Sequence, residues 1–176
     1  MGEVTTRAAA LGDVPAIAAI YAEQVRNGTA TFEIAPPDEA EMAARMAKVA
    51  AGGFPYFVAE SEGQVLGYCY AGPYHVRAAY RDTVEDSIYI AEASRGLGIG
   101  GALLRALLEA CTSAGFRQMV ALIGDSKNEA SVRLHKAAGF APVGTLKSVG
   151  FKHGRWLDVV LMQLALGAGA TRDPDR

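Results

Sequence analysis

The sequence has few cysteines, no long apolar run and no excess of one charge. Its two cysteines, Cys69 and Cys111, are too few for a disulfide framework or a zinc cluster, so we interpret both as reduced packing residues. No stretch approaches the ~20 apolar residues of a membrane span, and no apolar signal run follows Met1. Seventeen basic and nineteen acidic residues give a net charge of -2, without the basic footprint of a nucleic-acid binder. These absences predict a cytoplasmic protein with no nucleic-acid, membrane or metal partner.

What the sequence does contain is enough apolar material for one folded domain. Of its 176 residues, 51% are hydrophobic and 20% are charged. A chain of this size and composition can bury a core without metals or disulfides. We expect a single domain over residues 1–166. Residues 167–176 are rich in glycine, alanine, proline and charged side chains, which predicts a flexible C-terminal tail.

Apolar spacing and turn residues predict a mixed sheet covered by helices. Asp13 before Pro15, and Asp38 three residues before Glu41, are typical of helix beginnings. The predicted helices then cover residues 14–27, 38–51, 98–114 and 128–138. The predicted strands cover residues 56–59, 65–70, 83–90, 119–123, 143–151 and 157–164. This order favours an α+β fold, or an α/β fold in three layers, over a long alternating βαβ series.

The segment Ser94-Arg95-Gly96-Leu97-Gly98-Ile99-Gly100-Gly101 lies between a predicted strand and an apolar helix. Glycines allow backbone N–H groups to approach a ligand, and the following helix adds unpaired N–H groups and the positive end of its dipole. Phosphate is the ligand that such a helix beginning favours, and Arg95 adds a positive charge beside it. A tight turn without a ligand needs fewer glycines than this segment has.

A dinucleotide site is the alternative for the same glycines. Gly96, Gly98 and Gly101 satisfy G-x-G-x-x-G, and Asp125 lies where a ribose-binding acid is expected. However, residues 91–95 separate the glycines from the strand, the preceding strands form a hairpin, and only one further βα unit follows. A doubly wound sheet cannot be assembled from these elements, which disfavours a nicotinamide cofactor.

Two motifs resemble those of the GCN5-related N-acetyltransferase (GNAT) superfamily. Arg95-Gly96-Leu97-Gly98-Ile99-Gly100 is similar to its [Q/R]-x-x-G-x-[G/A] pyrophosphate loop, and residues 128–140 resemble its Asn-initiated helix that ends in Gly-Phe. Further segments resemble the phosphinothricin and methionine sulfone/sulfoximine N-acetyltransferases within that superfamily. They are residues 29–33, 71–74, 77–80, 83–85, 88–90 and 150–158. The resemblance covers nearly the whole chain up to Leu166.

The resemblance implies the GNAT fold with splayed central strands, acetyl-CoA as co-substrate without a metal, and a homodimer. In this superfamily the pantetheine arm pairs with the parted strand like an extra strand, which uses backbone groups and is blind to side chains. The residues that the resemblance and the glycine loop assign to the coenzyme are Ile88, Tyr89, Ile90, Arg95, Gly96, Leu97, Gly98, Ile99, Gly100, Gly101, Asn128 and Ser131. For Asn128, a helix N-cap is the alternative role.

Glu85 and His135 are the candidate catalytic residues. Glu85 matches the catalytic glutamate of the family motif Thr-Val-Glu, and strand alternation places it on one face of its strand with Ser87 and Tyr89. Asp86, on the other face, departs from the residue types expected after this glutamate, so it either alters substrate choice or competes as the base. His135 matches the phosphinothricin-type family where other members carry Tyr, and its ordinary pKa permits proton donation or acceptance.

A polar, aromatic loop before the Glu85 strand suits a small zwitterionic acceptor. Arg77 can bind a carboxylate in a bidentate manner, and Tyr74, Tyr80 and Phe32 can wall a pocket. The alternative is a mobile surface loop with solvated cations. The residues assigned to the acceptor are Phe32, Tyr74, His75, Val76, Arg77, Tyr80, Glu85, Asp86 and Ser87.

The sequence therefore predicts an enzyme that acetylates the amine of a small amino-acid-like compound, with Glu85 as general base. Two alternatives remain open. One is a non-catalytic acyl-CoA-binding module, which needs neither Glu85 nor His135. The other is an acetyltransferase for a different amine, such as a peptide N-terminus or a polyamine.

Overall fold

The structure is a computed structural model that describes residues Gly2–Pro174. Met1, in the predicted domain, and Asp175 and Arg176, in the predicted tail, lie outside the described residues. Helices in the described part are α1 (Val14–Asn27), α2 (Glu39–Ala51), α3 (Ile99–Ser113) and α4 (Glu129–Ala137). Strands in the same part are β1 (Thr5–Ala8), β2 (Tyr56–Ser61), β3 (Gln64–Pro73), β4 (Thr83–Ile90), β5 (Gln118–Gly124), β6 (Ala141–Lys152) and β7 (Arg155–Ala165).

The strands of the described residues form one mixed sheet of seven strands in the order β1-β2-β3-β4-β5-β7-β6. Only β4 and β5 run parallel here, and every other pair of neighbours is antiparallel. The parallel pair is joined through α3, since parallel neighbours need a crossover connection. This arrangement confirms the predicted α+β fold.

Two apolar clusters cover the two faces of the sheet and make three layers. On one face α1 and α2 pack on β2 and β3, with Ile17, Val25 and Met42 buried against Val58 and Tyr68. On the other face α3 buries Leu103, Leu104 and Leu107 against the strands, and these side chains have no exposed surface. Both helix stripes follow the spacing that predicted them.

Local capping explains where the second helix begins, and it corrects the prediction for the first. Asp38 accepts a hydrogen bond from the N–H of Glu41 at 2.8 Å, as the spacing predicts. Asp13, in contrast, makes no side-chain cap to α1. Its carboxylate accepts two bonds from Arg7, at 2.7 and 2.8 Å, and one from the N–H of Ala10. Arg7 thereby ties β1 to the start of α1.

Two terminal segments differ in how well the sequence describes them. β1 was not predicted, because four residues with little apolar alternation give no strand signal. At the other end, the N–H of Gly169 donates to the carbonyl of Leu166, and Arg117 donates to the carbonyl of Asp173 at 3.1 Å. The flexible tail stays a prediction.

None of the helices in residues 2–174 is both long enough and apolar enough to cross a membrane.

Candidate active site

Strands β4 and β5 part in the middle of the sheet. Within the described residues they pair only from Thr83 to Asp86 on β4, opposite Gln118 to Ala121 on β5. Beyond Asp86, β4 continues to Ile90 beside β3 alone, while β5 continues beside β7. Backbone groups on the open edge of β4 are therefore available to an extended ligand. The opening lies at Ile88, Tyr89 and Ile90, where splayed strands were predicted.

The opening leads into a cavity of about 840 Å³ that runs from the glycine loop past Glu85 to the end of α1. Its walls come from β4, β5, α3, α4 and the segment after α1. A separate cavity of about 500 Å³ is lined by residues at the C-terminal end of α3 and beyond β7. A cavity of this size fits an extended small-molecule ligand rather than a single ion.

The glycine loop has the backbone geometry that a phosphate ligand requires. Gly96 and Gly98 have φ values of 79° and 78°, in the left-handed region that favours glycine. Gly98 directly precedes α3, whose first N–H groups have no partner within the helix. A Cβ at Gly96 or Gly98 would meet no other atom within 4 Å, so the loop is open on its ligand side. The loop therefore fits a diphosphate bound by main-chain amides.

Three positive side chains line the cavity. Arg95, Lys127 and Arg133 line it, and only Arg95 was singled out from the sequence. Arg95 is also close to Glu23 of α1, with Nη2 and Oε1 separated by 3.5 Å. Leu97, which was assigned to the coenzyme, does not line the cavity, and its side chain is exposed. The other assigned residues of the loop do line it.

The beginning of α4 forms the opposite wall of the coenzyme channel. Asn128 Oδ1 accepts a hydrogen bond from the N–H of Ser131 at 3.2 Å, so the N-cap role is present. Both residues line the cavity. Gly100 on α3 lies close to Leu134, because a Cβ there would be 3.2 Å from Leu134 Cδ2. The close approach of α3 and α4 sets the width of the channel.

Glu85 lies on the cavity wall and is partly buried. Burial raises the pKa of the Glu85 carboxyl to about 7, and the charge of the neighbouring Asp86 adds to this shift. A carboxyl group with this pKa is partly ionised near neutrality and can accept a proton. The strand pairing places Glu85 beside Gly72 on β3.

Asp86 and His135 form a buried pair on the other face of β4. His135 Nε2 lies 3.0 Å from Asp86 Oδ2, and its Nδ1 lies 2.8 Å from the carbonyl oxygen of Ser131. Both side chains are 2% exposed. Burial alone would lower the pKa of His135, but the hydrogen bond and charge of Asp86, with the Ser131 carbonyl, outweigh it and raise that pKa above its ordinary value. The pair joins α4 to β4 beneath the cavity.

The acceptor side of the cavity is a segment after α1 that long-range contacts hold in place. Lys152 at the end of β6 is buried, and its Nζ donates to the carbonyl of Thr31 at 2.9 Å. Burial lowers the pKa of Lys152. Gly150 is glycine because a Cβ there would overlap the ring of Phe32. Gly124 leaves room for the backbone at Thr29, since a Cβ would lie 2.5 Å from the Thr29 oxygen.

The structure separates the predicted acceptor residues into two groups. Four of them line the cavity, namely Phe32, Glu85, Asp86 and Ser87. The other five do not, namely Tyr74, His75, Val76, Arg77 and Tyr80. Three of these five pack on one another, with ring centroids 4.4 to 5.7 Å apart. Their loop begins after Pro73, which pairs with Val84 next to Glu85, so it lies at the end of the same strand pair. Its role in acceptor binding stays a prediction.

Several residues of the cavity were missed from the sequence. The C-terminal end of α1 contributes Glu23, Gln24 and Asn27, and Lys152 anchors the segment that follows. Tyr70 on β3 pairs with Ser87 and contacts its hydroxyl. The one available signal was Lys152-His153-Gly154, a hairpin turn by composition within a family-like segment. The resemblance suggests that this turn borders the site or a dimer contact, but it assigns the turn no chemistry.

The two cysteines are buried thiols. Cys69 and Cys111 are free and buried, and burial raises both pKa values, that of Cys111 to about 12. Both thiols are therefore protonated near neutrality. Over residues 2–174, no three His, Cys, Asp or Glu side chains are arranged to hold a metal ion.

Known proteins are similar to this chain over nearly its whole length. A family model described as an acetyltransferase (GNAT) domain matches residues 6–161. Phosphinothricin N-acetyltransferase from Alcaligenes faecalis is 54% identical over 97% of this chain and 87% of the relative. L-methionine sulfoximine/L-methionine sulfone acetyltransferase from Pseudomonas aeruginosa is 42% identical over 91% of this chain and 93% of the relative.

A solved structure agrees in three dimensions. The phosphinothricin acetyltransferase of Sinorhizobium meliloti in complex with AcCoA superposes with a TM-score of 0.96 at 49% identity, covering 98% of this chain and 94% of that one. The mixed sheet of this chain, which parts beside the glycine loop, is therefore the fold of an acetyltransferase domain. The chain belongs to the GNAT family of acetyltransferases.

Proposed function

We propose that this enzyme transfers the acetyl group of acetyl-CoA to the amine of a small amino-acid-like compound of the phosphinothricin, methionine sulfone or methionine sulfoximine type. The observation that carries the proposal is one continuous cavity that connects the glycine loop to Glu85. The relatives named for these acceptors support it, because they are similar over nearly the full chain.

The coenzyme fits the residues that are present. A Cβ at Gly96 or Gly98 would meet open space, and Arg95, Lys127 and Arg133 supply positive charge to the same cavity. We assign the diphosphate to this loop and the pantetheine arm to the open edge of β4 at residues 88–90. When bound, acetyl-CoA supplies an activated thioester carbonyl.

Glu85 is the proposed general base. The α-amine of an amino acid is mostly protonated at neutral pH and must lose a proton before it can attack a carbonyl. Glu85 lies on the cavity wall, and its pKa of about 7 leaves a useful fraction ionised at that pH. The carboxylate takes the amine proton directly or through one water molecule. His135 is the second residue of the proposed catalytic pair, on the coenzyme side of β4.

The acceptor is proposed to bind between β4 and the segment after α1. Phe32 and Ser87 line this part of the cavity, and Lys152 and Gly150 hold Phe32 and its neighbours in place. The loop at residues 74–80, with Arg77, is proposed to bind the carboxylate of the acceptor at the rim.

The test is an acceptor screen with acetyl-CoA. Thiol release is followed with proteinogenic amino acids, phosphinothricin, methionine sulfone, methionine sulfoximine, polyamines and short peptides. We expect the highest kcat/KM with one of the phosphinothricin or methionine derivatives. Preference for a polyamine or a peptide would replace this acceptor class with another, and acetyl-CoA binding by calorimetry without any turnover would favour a binding module.

We further propose a cytoplasmic homodimer formed through β6. This strand lies at the sheet edge and exposes large apolar side chains. They are Val143, Leu146, Val149 and Phe151, with Trp156 beside them on β7. Such a row of apolar side chains on an unpaired edge is typical of an interface.

Light scattering after size-exclusion chromatography tests the dimer. We expect twice the chain mass for the wild type and a monomer for Leu146→Arg. The control is Leu11→Arg, because Leu11 is 70% exposed far from β6. A wild-type monomer, or an unchanged mass for Leu146→Arg, would contradict the proposal.

A further inference from the structure

The buried pair of Asp86 and His135 determines how many protons the imidazole can hold. Nδ1 of His135 faces the carbonyl oxygen of Ser131 at 2.8 Å, and a carbonyl oxygen can only accept a hydrogen bond. Nδ1 therefore carries a proton. The hydroxyl of Ser131 is farther away, with Oγ 3.4 Å from Nδ1, and does not change this assignment.

The second ring nitrogen is also engaged. Nε2 lies 3.0 Å from Asp86 Oδ2, a distance that requires a proton between the two atoms. Because the hydrogen bond and charge of Asp86 raise the pKa of His135, we place that proton on Nε2, which gives an imidazolium and a carboxylate. Nε2 then has no free lone pair. His135 therefore cannot accept a proton from an acceptor amine.

The titratable groups near Asp86 and His135 come from β3, β4 and α3. Cys69 on β3 and Cys111 on α3 lie near Asp86, but burial raises both thiol pKa values and keeps the thiols neutral. The edge of the Phe140 ring faces His135 at 5.0 Å between centroids. Glu85 is the remaining titratable neighbour, on the opposite face of β4. Asp86 Oδ1 is buried and has no partner within the described residues.

We propose that Asp86 is a positioning residue that fixes the orientation of His135 and keeps both of its ring nitrogens in donor-type hydrogen bonds. The inference rests on the proposed function and refines it. With Asp86 in place, both N–H groups of His135 are engaged, so His135 acts as a fixed positive charge on the coenzyme side. Glu85 is then the only proton acceptor of the two proposed catalytic residues, Glu85 and His135. Asp86 thus neither competes as the base nor contacts the acceptor.

Asp86→Asn is the informative variant. An asparagine amide can donate to an unprotonated Nε2, so the geometry is retained while the second proton is lost. Two-bond ¹H–¹⁵N spectra of the imidazole report the state of each ring nitrogen. Ordinary histidines titrate between about pH 5 and about pH 8. We expect His135 of the wild type to titrate at a higher pH than an unpaired histidine, because Asp86 raises its pKa. In Asp86→Asn we expect a neutral ring over most of that range, because burial then dominates.

Kinetics with acetyl-CoA and the best acceptor give the functional readout. We expect Asp86→Asn to lower kcat by about 10-fold or more, which is less than the ~10²-fold or greater contribution of a group that itself transfers the proton. We expect KM for acetyl-CoA to change by less than about 2-fold. Asp13→Asn is the matched control. Counted over the whole residue, Asp13 and Asp86 are both 7% exposed, and Asp13 lies outside the cavity. We expect this control to lower stability and leave kcat unchanged.

The outcomes separate this inference from the proposed function. Titration of wild-type His135 near its ordinary pKa, identical spectra in the two proteins, or an unchanged kcat in Asp86→Asn would overturn the role of Asp86. Absence of thiol release by the wild type with every acceptor would overturn the proposed function, and the spectra would still test the pair.

Discussion

The two faces of β4 place neighbouring carboxyl groups in different electrostatic environments. Glu85 faces the α1 and α2 layer, lies on the cavity wall and has a raised pKa of about 7. Asp86, the next residue, faces the α3 and α4 layer and is held by a histidine in a dry environment. Strand alternation alone separates the two side chains.

This difference shows how a buried strand carries two acids without placing like charges in contact. On one face, burial without a counter-charge raises the pKa of Glu85 to about 7. On the other face, a counter-charge compensates for burial and fixes a histidine. The acceptor face is thus suited to proton exchange, and the coenzyme face is suited to holding groups in place.

The largest effect should come from removing the base. We expect Glu85→Gln to lower kcat by about 10²-fold or more, because it removes the only proposed proton acceptor, and to change acetyl-CoA affinity by less than about 2-fold. Steady-state kinetics and calorimetry measure the two quantities. Glu109→Gln, an exposed position on α3, is the control. Equal kcat in Glu85→Gln and the wild type would remove the functional contrast between the two faces.

We expect a smaller effect, confined to acetyl-CoA affinity, from a substitution in the glycine loop. Gly98 has a φ of 78°, so we expect Gly98→Ala to strain the loop by about 1–2 kcal/mol and to weaken acetyl-CoA binding by roughly 10-fold. Gly115→Ala is the matched control, since Gly115 has a φ of 88° after the end of α3 and lies outside the large cavity. We expect a similar loss of stability in the control with unchanged affinity. Equal affinity in both variants would show that the loop does not bind the coenzyme.

The dependence of stability on pH tests the electrostatic difference directly. The folded-state pKa of Glu85, about 7, is above the ordinary value of 4.5, so its contribution to stability is present below about pH 4.5 and is lost as the pH rises through about 7. Allowing for partial exposure, we expect Glu85→Gln to gain about 1–2 kcal/mol over the wild type between these pH values. Denaturant unfolding at several pH values measures this gain. A constant difference would mean that Glu85 is not perturbed.

The smallest effect concerns how the acceptor face is held. Lys152→Met removes the hydrogen bond to the Thr31 carbonyl while it keeps most of the side-chain volume. We expect KM for the acceptor to rise about 3-fold, which corresponds to less than ~1 kcal/mol, with acetyl-CoA affinity unchanged. Lys48→Met, at an exposed position on α2, is the control. An equal change in both substrates' affinities would show that Lys152 supports the whole fold rather than one face.

The coenzyme face could be predicted from sequence because its signals are local. The glycines before α3, the Asn128 cap and the alternation along β4 each lie within one short segment, and the structure places them around one cavity. Helix and strand positions were predictable for the same reason, apart from the short β1.

The acceptor face depends on contacts between distant parts of the chain. Lys152 and Thr31, whose contact holds the segment after α1 in place, are 121 residues apart. Composition and periodicity do not report such pairs, so the turn at residues 152–154 gave no indication of a buried lysine. The five assigned residues of the loop at 74–80 carry suitable chemistry, yet chemistry alone did not place them on the cavity wall.

Gly150 has a consequence for how acceptor preference can diverge among related enzymes. The ring of Phe32 occupies the volume that any side chain at this hairpin position would need. Even an added methyl group must therefore displace an aromatic wall of the cavity while every reacting group stays where it is. A substitution at Gly150 in β6, which does not itself line the cavity, can therefore change the proposed acceptor pocket.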